Sequence, residues 1–519
     1  MSAILDSKLC AVEEAVALVR DGQTIATSGF VGAGVPEALL SALERRFVGR
    51  GGPKGLTLVY AAGQGDGKNR GANHLAHPGL LKRVIGGHWG LAPKLGKMAI
   101  EGAIEAYNFP QGVICQLFRD IAAGRPGCIT HVGLHTFIDP ELQGGRLNDR
   151  TPPGAVERVQ LDGKTWLFYK AFPVHVGFIR ATAADPFGNL IMDGEAIFGE
   201  VLPIAQAVRN NGGLVLAQVS RLLDKPIHPQ LVKVPGIWVD RIVVAEPHEH
   251  DQTFAEHFNP GYCASLPDAG IPGDALPVLP MGERRIIAAR ACDEIPPGAI
   301  INLGIGIPEG IACVAAERGW RDRFTMTIES GPIGGVPAGG LSFGASLHPQ
   351  AVMDQPSQFD FYDGRGLDFA ALGLAQTDAA GNVNVAQFGT RLSGVGGFVN
   401  ISQTAKQLVF CGTFTTGDLV VTVEDGKLVV VTEGKIRKFV KHVERVSFGA
   451  RRAREIGQDV LYVTERAVFR LVEGGMELIE VAPGIDVEKQ VLALMDFRPV
   501  VRQVNRMPEH VFKMAGGAA

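Results

Sequence analysis

The stretch Gly32-Ala33-Gly34-Val35-Pro36-Glu37 returns later in the chain as Gly304-Ile305-Gly306-Ile307-Pro308-Glu309, with its glycines, proline and acid in the same places. The flanking residues correspond as well. Leu39, Leu40, Leu43 and Phe47 give one apolar helix face after the first copy, and Ile311 and Val314 do so after the second. Each copy then leads into an apolar run, Leu56-Thr57-Leu58-Val59-Tyr60-Ala61-Ala62-Gly63 and Phe324-Thr325-Met326-Thr327-Ile328-Glu329-Ser330-Gly331. A third echo pairs Asp185-Pro186-Phe187-Gly188-Asn189 with Asp378-Ala379-Ala380-Gly381-Asn382. Three correspondences in one order restrict the chain to a duplicated β-loop-α-β scaffold, that is, an α/β fold of two homologous open domains.

A chain of 519 residues is too long for one core. The Pro-, Gly- and Ala-rich segment 263–282 lacks periodicity and reads as a linker, so the domains are expected at 1–262 and 283–519. Within them the spacing predicts a surface helix over 8–20 and a strand over 24–28, with Pro36 in the first position of the next helix. Strands are expected over 56–62 and 324–328, and an extra helical stretch over 92–107. Near the end, runs at 460–463 and 477–481 flank Glu473-Gly474-Gly475 and predict an antiparallel addition to the sheet. Residues 487–497 read as a closing amphipathic helix.

Composition narrows the partners. A net charge of −4 does not favour nucleic acid. The 7 cysteines are scattered with no C-x-x-C pair, which points to reduced thiols and a cytoplasmic setting. The N-terminus has no apolar signal region, and no run reaches the roughly 18–20 apolar residues a membrane span needs.

Where the two apolar runs align, Glu329 lies opposite Ala61, so the scaffold does not itself demand an acid there. Of the ten residues that follow Ser330, five are Gly and two are Pro. A strand that ends in one carboxylate before such a loop places the acid at the ligand-binding edge of an α/β sheet. Loop glycines let main-chain N–H groups converge on a ligand, so Glu329 is a candidate covalent nucleophile whose acyl adducts would be stabilised there. A solvated strand-end acid is the plain alternative. Gly304-x-Gly306 stands about as far before Glu329 as the dinucleotide fingerprint stands before its ribose-binding acid, although Pro308 occupies the turn. Gly340-Leu341-Ser342-Phe343-Gly344 matches a hydrolase elbow, with Ser342 as nucleophile and His348 as base, but loop rather than strand precedes it. Gly163-Lys164-Thr165 has the tail of a phosphate loop, but Arg158 stands where its first Gly is needed. His248, His250, Glu256 and His257 lack the spacing of a metal helix and read as a charged loop. The basic run 435–445 reads as a solvated face.

Thr327-Ile328-Glu329-Ser330-Gly331-Pro332-Ile333-Gly334-Gly335 resembles the active-site segment of family I coenzyme A transferases, most closely the propionate/acetate CoA-transferase branch with both halves in one chain. Gly29 to Glu37, Tyr60 to Asp66, Gly86-Gly87-His88-Trp89, Phe109-Pro110-Gln111-Gly112, Gly133 to Phe137, Gly381 to Val385 and Gly394-Val395-Gly396-Gly397-Phe398 carry the likeness from about Cys10 to Phe497.

The resemblance implies a NagB/RpiA-like fold and a CoA-transferase of the EC 2.8.3 class. Glu329 would carry a glutamyl-CoA thioester, and Gln111, from the other half, would help form the oxyanion site. Gly304, Gly306, Gly394, Gly396, Gly397 and Lys406 would contact CoA. Gly32 and Gly63 would line the acyl side. It further implies short-chain carboxylates such as acetate and propionate as substrates, no cofactor beyond CoA, no metal, and a homo-oligomer, a tetramer; charge and hydropathy add the expectation of no nucleic-acid and no membrane partner. A thioesterase on the same scaffold and a non-catalytic effector-binding protein stay open as alternatives.

Overall fold

A computed structural model describes residues 3–264 and 276–514. The chain parts into two compact units. One gathers Met1–Pro267 with Ile328–Asp360 and Phe388–Gly397; the other holds Asp268–Thr327, Phe361–Gln387 and Phe398–Ala519. A cut at 263–282 would instead assign 328–360 and 388–397 to the second half. Residues 265–275 of that expected linker lie outside the described residues.

The first unit is built on a parallel sheet of β1 (Thr24–Thr27), β2 (Leu56–Tyr60), β3 (Leu81–Gly86), β4 (Glu105–Asn108), β5 (Val176–Arg180), β6 (Leu214–Val219) and β7 (Arg241–Val244). Their spatial order is β7-β6-β5-β1-β2-β3-β4. β1 and β5 are buried along their whole length, as expected of strands covered by helices on both faces. Leu39, Leu40 and Leu43 of the helix Glu37–Arg50 pack on Ile25, Leu58, Tyr60 and Phe178. That is the apolar face the helical spacing predicts.

The second unit carries β8 (Ala299–Leu303), β9 (Phe324–Thr327), β10 (Phe369–Gly373), β11 (Gln407–Cys411) and β12 (Asp459–Val463) in the parallel order β9-β8-β10-β11-β12. β2-β1-β5-β6-β7 in the first unit follows the same order. The register agrees too. Ile25 pairs with Leu58 and Val176, and Ile301 pairs with Met326 and Phe369. In both units the order reverses beside the first strand, which is the ligand-binding switch point of open α/β sheets.

The Asp…Gly-Asn echo is one turn built twice. Asp185 Oδ1 accepts the N–H groups of Phe187 and Asn189, each at 2.9 Å. Asp378 Oδ1 accepts those of Ala380 and Asn382, at 3.1 and 3.0 Å. Each Asn side chain donates back to its Asp.

Several expected elements are corrected. The stretch 92–107 is a helix only over Pro93–Ile100; Tyr107 belongs to β4, where Glu105 pairs with Arg83 of β3. The helix over 8–20 shrinks to Val12–Ala17, and Pro36 stands just before its helix. The antiparallel addition has a further strand: β13 (Ala467–Val472) lies between β12 and β14 (Gly475–Val481), and β15 (Val500–Arg506) runs parallel to β14. The closing helix is one turn, Val487–Gln490, then a short 3-10 turn, because Val491 and Met495 anchor an irregular path. In the basic run, Lys438 and Phe439 are buried rather than solvated.

Candidate active site

β1 and β2 end side by side, and their loops are stitched together. Val31 donates its N–H to the Gly63 carbonyl at 2.7 Å, and Gly65 donates to Val31 at 2.9 Å. Gly32 has no room for a side chain, since a Cβ there would lie 2.3 Å from the main-chain nitrogen of Phe254. Arg70 lies over the Phe254 ring and reaches Glu37 at 3.4 Å and Asp251 at 3.0 Å, which fixes the ring against the loop.

β3 and β4 end one strand over, in Gly86-Gly87-His88-Trp89 and Phe109-Pro110-Gln111. A segment from far along the chain is sewn to both ends. Trp89 and Gly90 donate their N–H groups to the Ser393 carbonyl at 2.7 and 3.0 Å, and Gly396 donates to Gly87 at 2.8 Å. Val395 donates to Asn108 Oδ1 at 3.1 Å. Gln111 starts the helix Gln111–Ala122, is 2% exposed, and donates its main-chain N–H to Gly396 at 3.0 Å. Its Nε2 is buried with no hydrogen-bond partner among the described residues. A buried amide donor without a protein partner is suited to an oxyanion.

Glu329 stands two residues beyond β9, half-buried in a turn. Gly331 donates to Ile328 at 3.0 Å and Ile328 to Pro332 at 2.9 Å. Ser330 Oγ donates to the Gly344 carbonyl at 2.6 Å. Gly344 in turn abuts Phe30, whose ring lies 5.5 Å from that of Phe343. Phe30, Val31, Ala33, Ala62, Phe343 and Ala345 form one small apolar cluster. The turn bearing Glu329 is thus moored to the loop that carries Gly32. The first unit contains this turn as well as Gly32, Gly63, Gln111, Gly394 and Gly396; Gly397 closes its last segment.

The other nominated residues belong to the second unit. Gly304 follows β8 directly and donates to Ala371 at 2.8 Å, and the Gly306 carbonyl accepts from Arg284 at 3.1 Å. Both therefore stand at the switch point of that sheet. Lys406 is exposed and pairs with Asp368 at 2.8 Å, so a local partner already holds its ammonium.

The rival motifs take other forms. Ser342 lies on a short 3-10 turn, with its hydroxyl held by Glu256 and Thr253, both at 2.8 Å. Gly163-Lys164-Thr165 closes the hairpin between Val156–Leu161 and Lys164–Lys170. His250 pairs with Glu195, His257 with Asp251, and Glu256 with Tyr262, so these side chains turn to separate partners.

His88, a position that no motif spacing nominates, packs beside Gly63, Gly90 and Gly396. Its imidazole is wedged among glycines, and burial pushes its pKa down to about 4. The available signal was its place in Gly86-Gly87-His88-Trp89-Gly90, a lone polar ring in a Gly-rich strand end.

The chain is 42% identical over 504 residues to the acetate CoA-transferase YdiF of Escherichia coli (strain K12), covering 96% of this chain and 94% of that one. This chain belongs to the coenzyme A transferase family. The family model, coenzyme A transferase, matches residues 10–245. Caffeate CoA-transferase of Acetobacterium woodii is 41% identical over 502 residues, covering 95% of both chains. The acyl-CoA transferase YdiF of E. coli O157:H7, solved as a thioester complex with CoA, superimposes with a TM-score of 0.92 at 38% identity, covering 99% of this chain and 98% of that one. The protein is a CoA-transferase enzyme. Among the described residues no helix is long and apolar enough to cross a membrane.

Proposed function

We propose that this enzyme moves CoA between a short-chain acyl-CoA, such as acetyl-CoA or propionyl-CoA, and a free carboxylate, through a glutamyl-CoA thioester on Glu329. The Glu329 carboxylate attacks the thioester carbonyl and expels CoA thiolate, leaving a mixed anhydride. The thiolate then attacks the glutamyl carbonyl. The carboxylate product leaves, and Glu329 holds CoA. An incoming carboxylate reverses these steps. One thioester is exchanged for another, so the proposal calls for no cofactor beyond CoA. Roles for Gly304, Gly306, Gly394, Gly396, Gly397 and Lys406 in holding CoA, and for Gly32 and Gly63 on the acyl side, belong to the same proposal.

The observation that carries it is the Gln111 amide, buried and without a protein partner on Nε2, at the strand edge where the oxyanions would form. Tetrahedral intermediates need such a donor in place beforehand. The relative solved as a thioester complex supports the covalent route. The acids named for the two relatives, acetate and caffeate, differ widely, so the acid accepted is set by pocket shape.

Steady-state kinetics of Glu329→Gln test the reading. The proposal expects parallel double-reciprocal lines for the native enzyme, as in ping-pong exchange, and loss of turnover by about 10³-fold or more in the variant. Full activity in Glu329→Gln would exclude this nucleophile.

A further inference from the structure

The imidazole of His88 meets glycines from three separate stretches of the first unit. A Cβ on Gly63 would lie 2.6 Å from its Nδ1, one on Gly90 3.0 Å from its Cε1, and one on Gly396 3.6 Å from its Cβ and 3.9 Å from its Cδ2. The ring therefore stands on edge. Its Nδ1 edge faces Gly63, and its Cδ2 edge faces Gly396, whose missing side chain would also lie 3.5 Å from Gln111 Oε1. The ring thus abuts Gly63, the glycine assigned to the acyl group, and lies beside Gly396, the glycine that packs next to Gln111. Its Nδ1 is shut off from solvent and bonds to no described residue. No acid is paired with it in an ion pair among the described residues, so nothing there holds it as a cation.

We propose that His88 is a specificity-determining residue, the wall that, with Gly63, limits how large an acyl group the enzyme accepts. The inference rests on the proposed acyl-side role of Gly63. Its physical basis is steric. Packed interiors yield little, and one methylene too many in a fitted pocket costs roughly ten- to two-hundred-fold in kcat/KM. Trimming the ring opens space on the Gly63 side. Adding a methyl at Gly63 drives into the ring and narrows that space.

The test is kcat/KM of the full-length enzyme for acetyl-, propionyl-, butyryl- and hexanoyl-CoA with one fixed acceptor acid. His88→Ala, His88→Asn, Gly63→Ala and the double variant Gly63→Ala/His88→Ala are compared with the native chain. His88→Ala should raise the hexanoyl-to-acetyl ratio by about tenfold or more, and His88→Asn by less. Gly63→Ala should lower that ratio, and the double variant should recover it, since the clash needs both side chains. The pH profile should not move, because the role is steric and the ring, with its pKa lowered by burial, does not titrate in the neutral range. An unchanged ratio in His88→Ala overturns the proposal, as does an equal fall for every chain length. Glu329→Gln is run alongside. If it stays active on acetyl-CoA, the nucleophile assignment fails, while the chain-length ratios still judge His88 separately.

Discussion

Gln111 donates its main-chain N–H to the carbonyl of Gly396 at 3.0 Å. That bond survives any change to the Gln111 side chain, so positioning and chemistry can be separated there. Gln111→Ala should keep the fold and its melting temperature nearly intact. It should lower kcat by about 10²-fold, the usual cost of one oxyanion donor, with a smaller effect on KM. Initial-rate kinetics beside a thermal melt check this. Native kcat in Gln111→Ala would remove the oxyanion role.

Gly32 and Gly339 make a matched pair of glycines. A Cβ on Gly32 meets the Phe254 backbone at 2.3 Å, whereas one on Gly339 meets nothing within 4 Å. Gly32→Ala should destabilise by about 1–3 kcal/mol through overpacking and should cut activity, because the Phe30–Gly32 loop must shift. Gly339→Ala should be nearly silent in both. Chemical denaturation of the two variants decides it.

Glu200 is fully buried at the start of the helix Val201–Asn210, where the backbone N–H groups of Gly29 and of Glu200 itself offset only part of the cost of burial. Burial pushes its pKa from 4.5 up to about 8. The folded state therefore holds a proton that the unfolded chain releases, and stability present below about 4.5 is lost as pH rises through about 8. Glu200→Gln keeps the shape without the titration. Its melting temperature should gain on that of the native chain steadily between pH 5 and 8, as read by calorimetry across that range.

His74 behaves with the same sign for a different reason. Burial alone would lower its pKa, but hydrogen bonds and charge from Glu37 and Glu44 overcome this and hold it above 6.5. Its Nε2 lies 2.9 Å from Glu37 and its Nδ1 2.5 Å from Glu44. The stabilisation is complete below the unfolded pKa and fades as pH rises past the folded one. His74→Asn should therefore cost more melting temperature at pH 6 than at pH 9. An equal loss at both would show that the charge contributes nothing.

The central strands were legible because each is a short apolar run closed by Gly, and the repeat fixed their order twice. The Asp185 and Asp378 turns were visible for a local reason: each Asp bonds N–H groups two and four residues on. Local spacing puts Tyr107 in a helix, whereas its strand is set by pairing with Ile85 of β3, a partner that no window of sequence around Tyr107 contains. The same holds at the site. Gly32 and Gly63 were nominated through a family likeness. The physical reasons for glycine there, Phe254 and His88, lie far along the chain or in the next strand end. That 328–360 and 388–397 pack with the first unit depends wholly on such distant contacts.

In the proposed cycle Glu329 becomes covalently bound to CoA. The most direct measurement is to incubate the enzyme with acetyl-CoA and no acceptor, reduce it with borohydride, digest it and map the modified residue by mass spectrometry. One reduced glutamyl side chain is expected, at Glu329, absent without acyl-CoA and absent in Glu329→Gln. Modification at another residue, or turnover with no trapped adduct at Glu329, would contradict it.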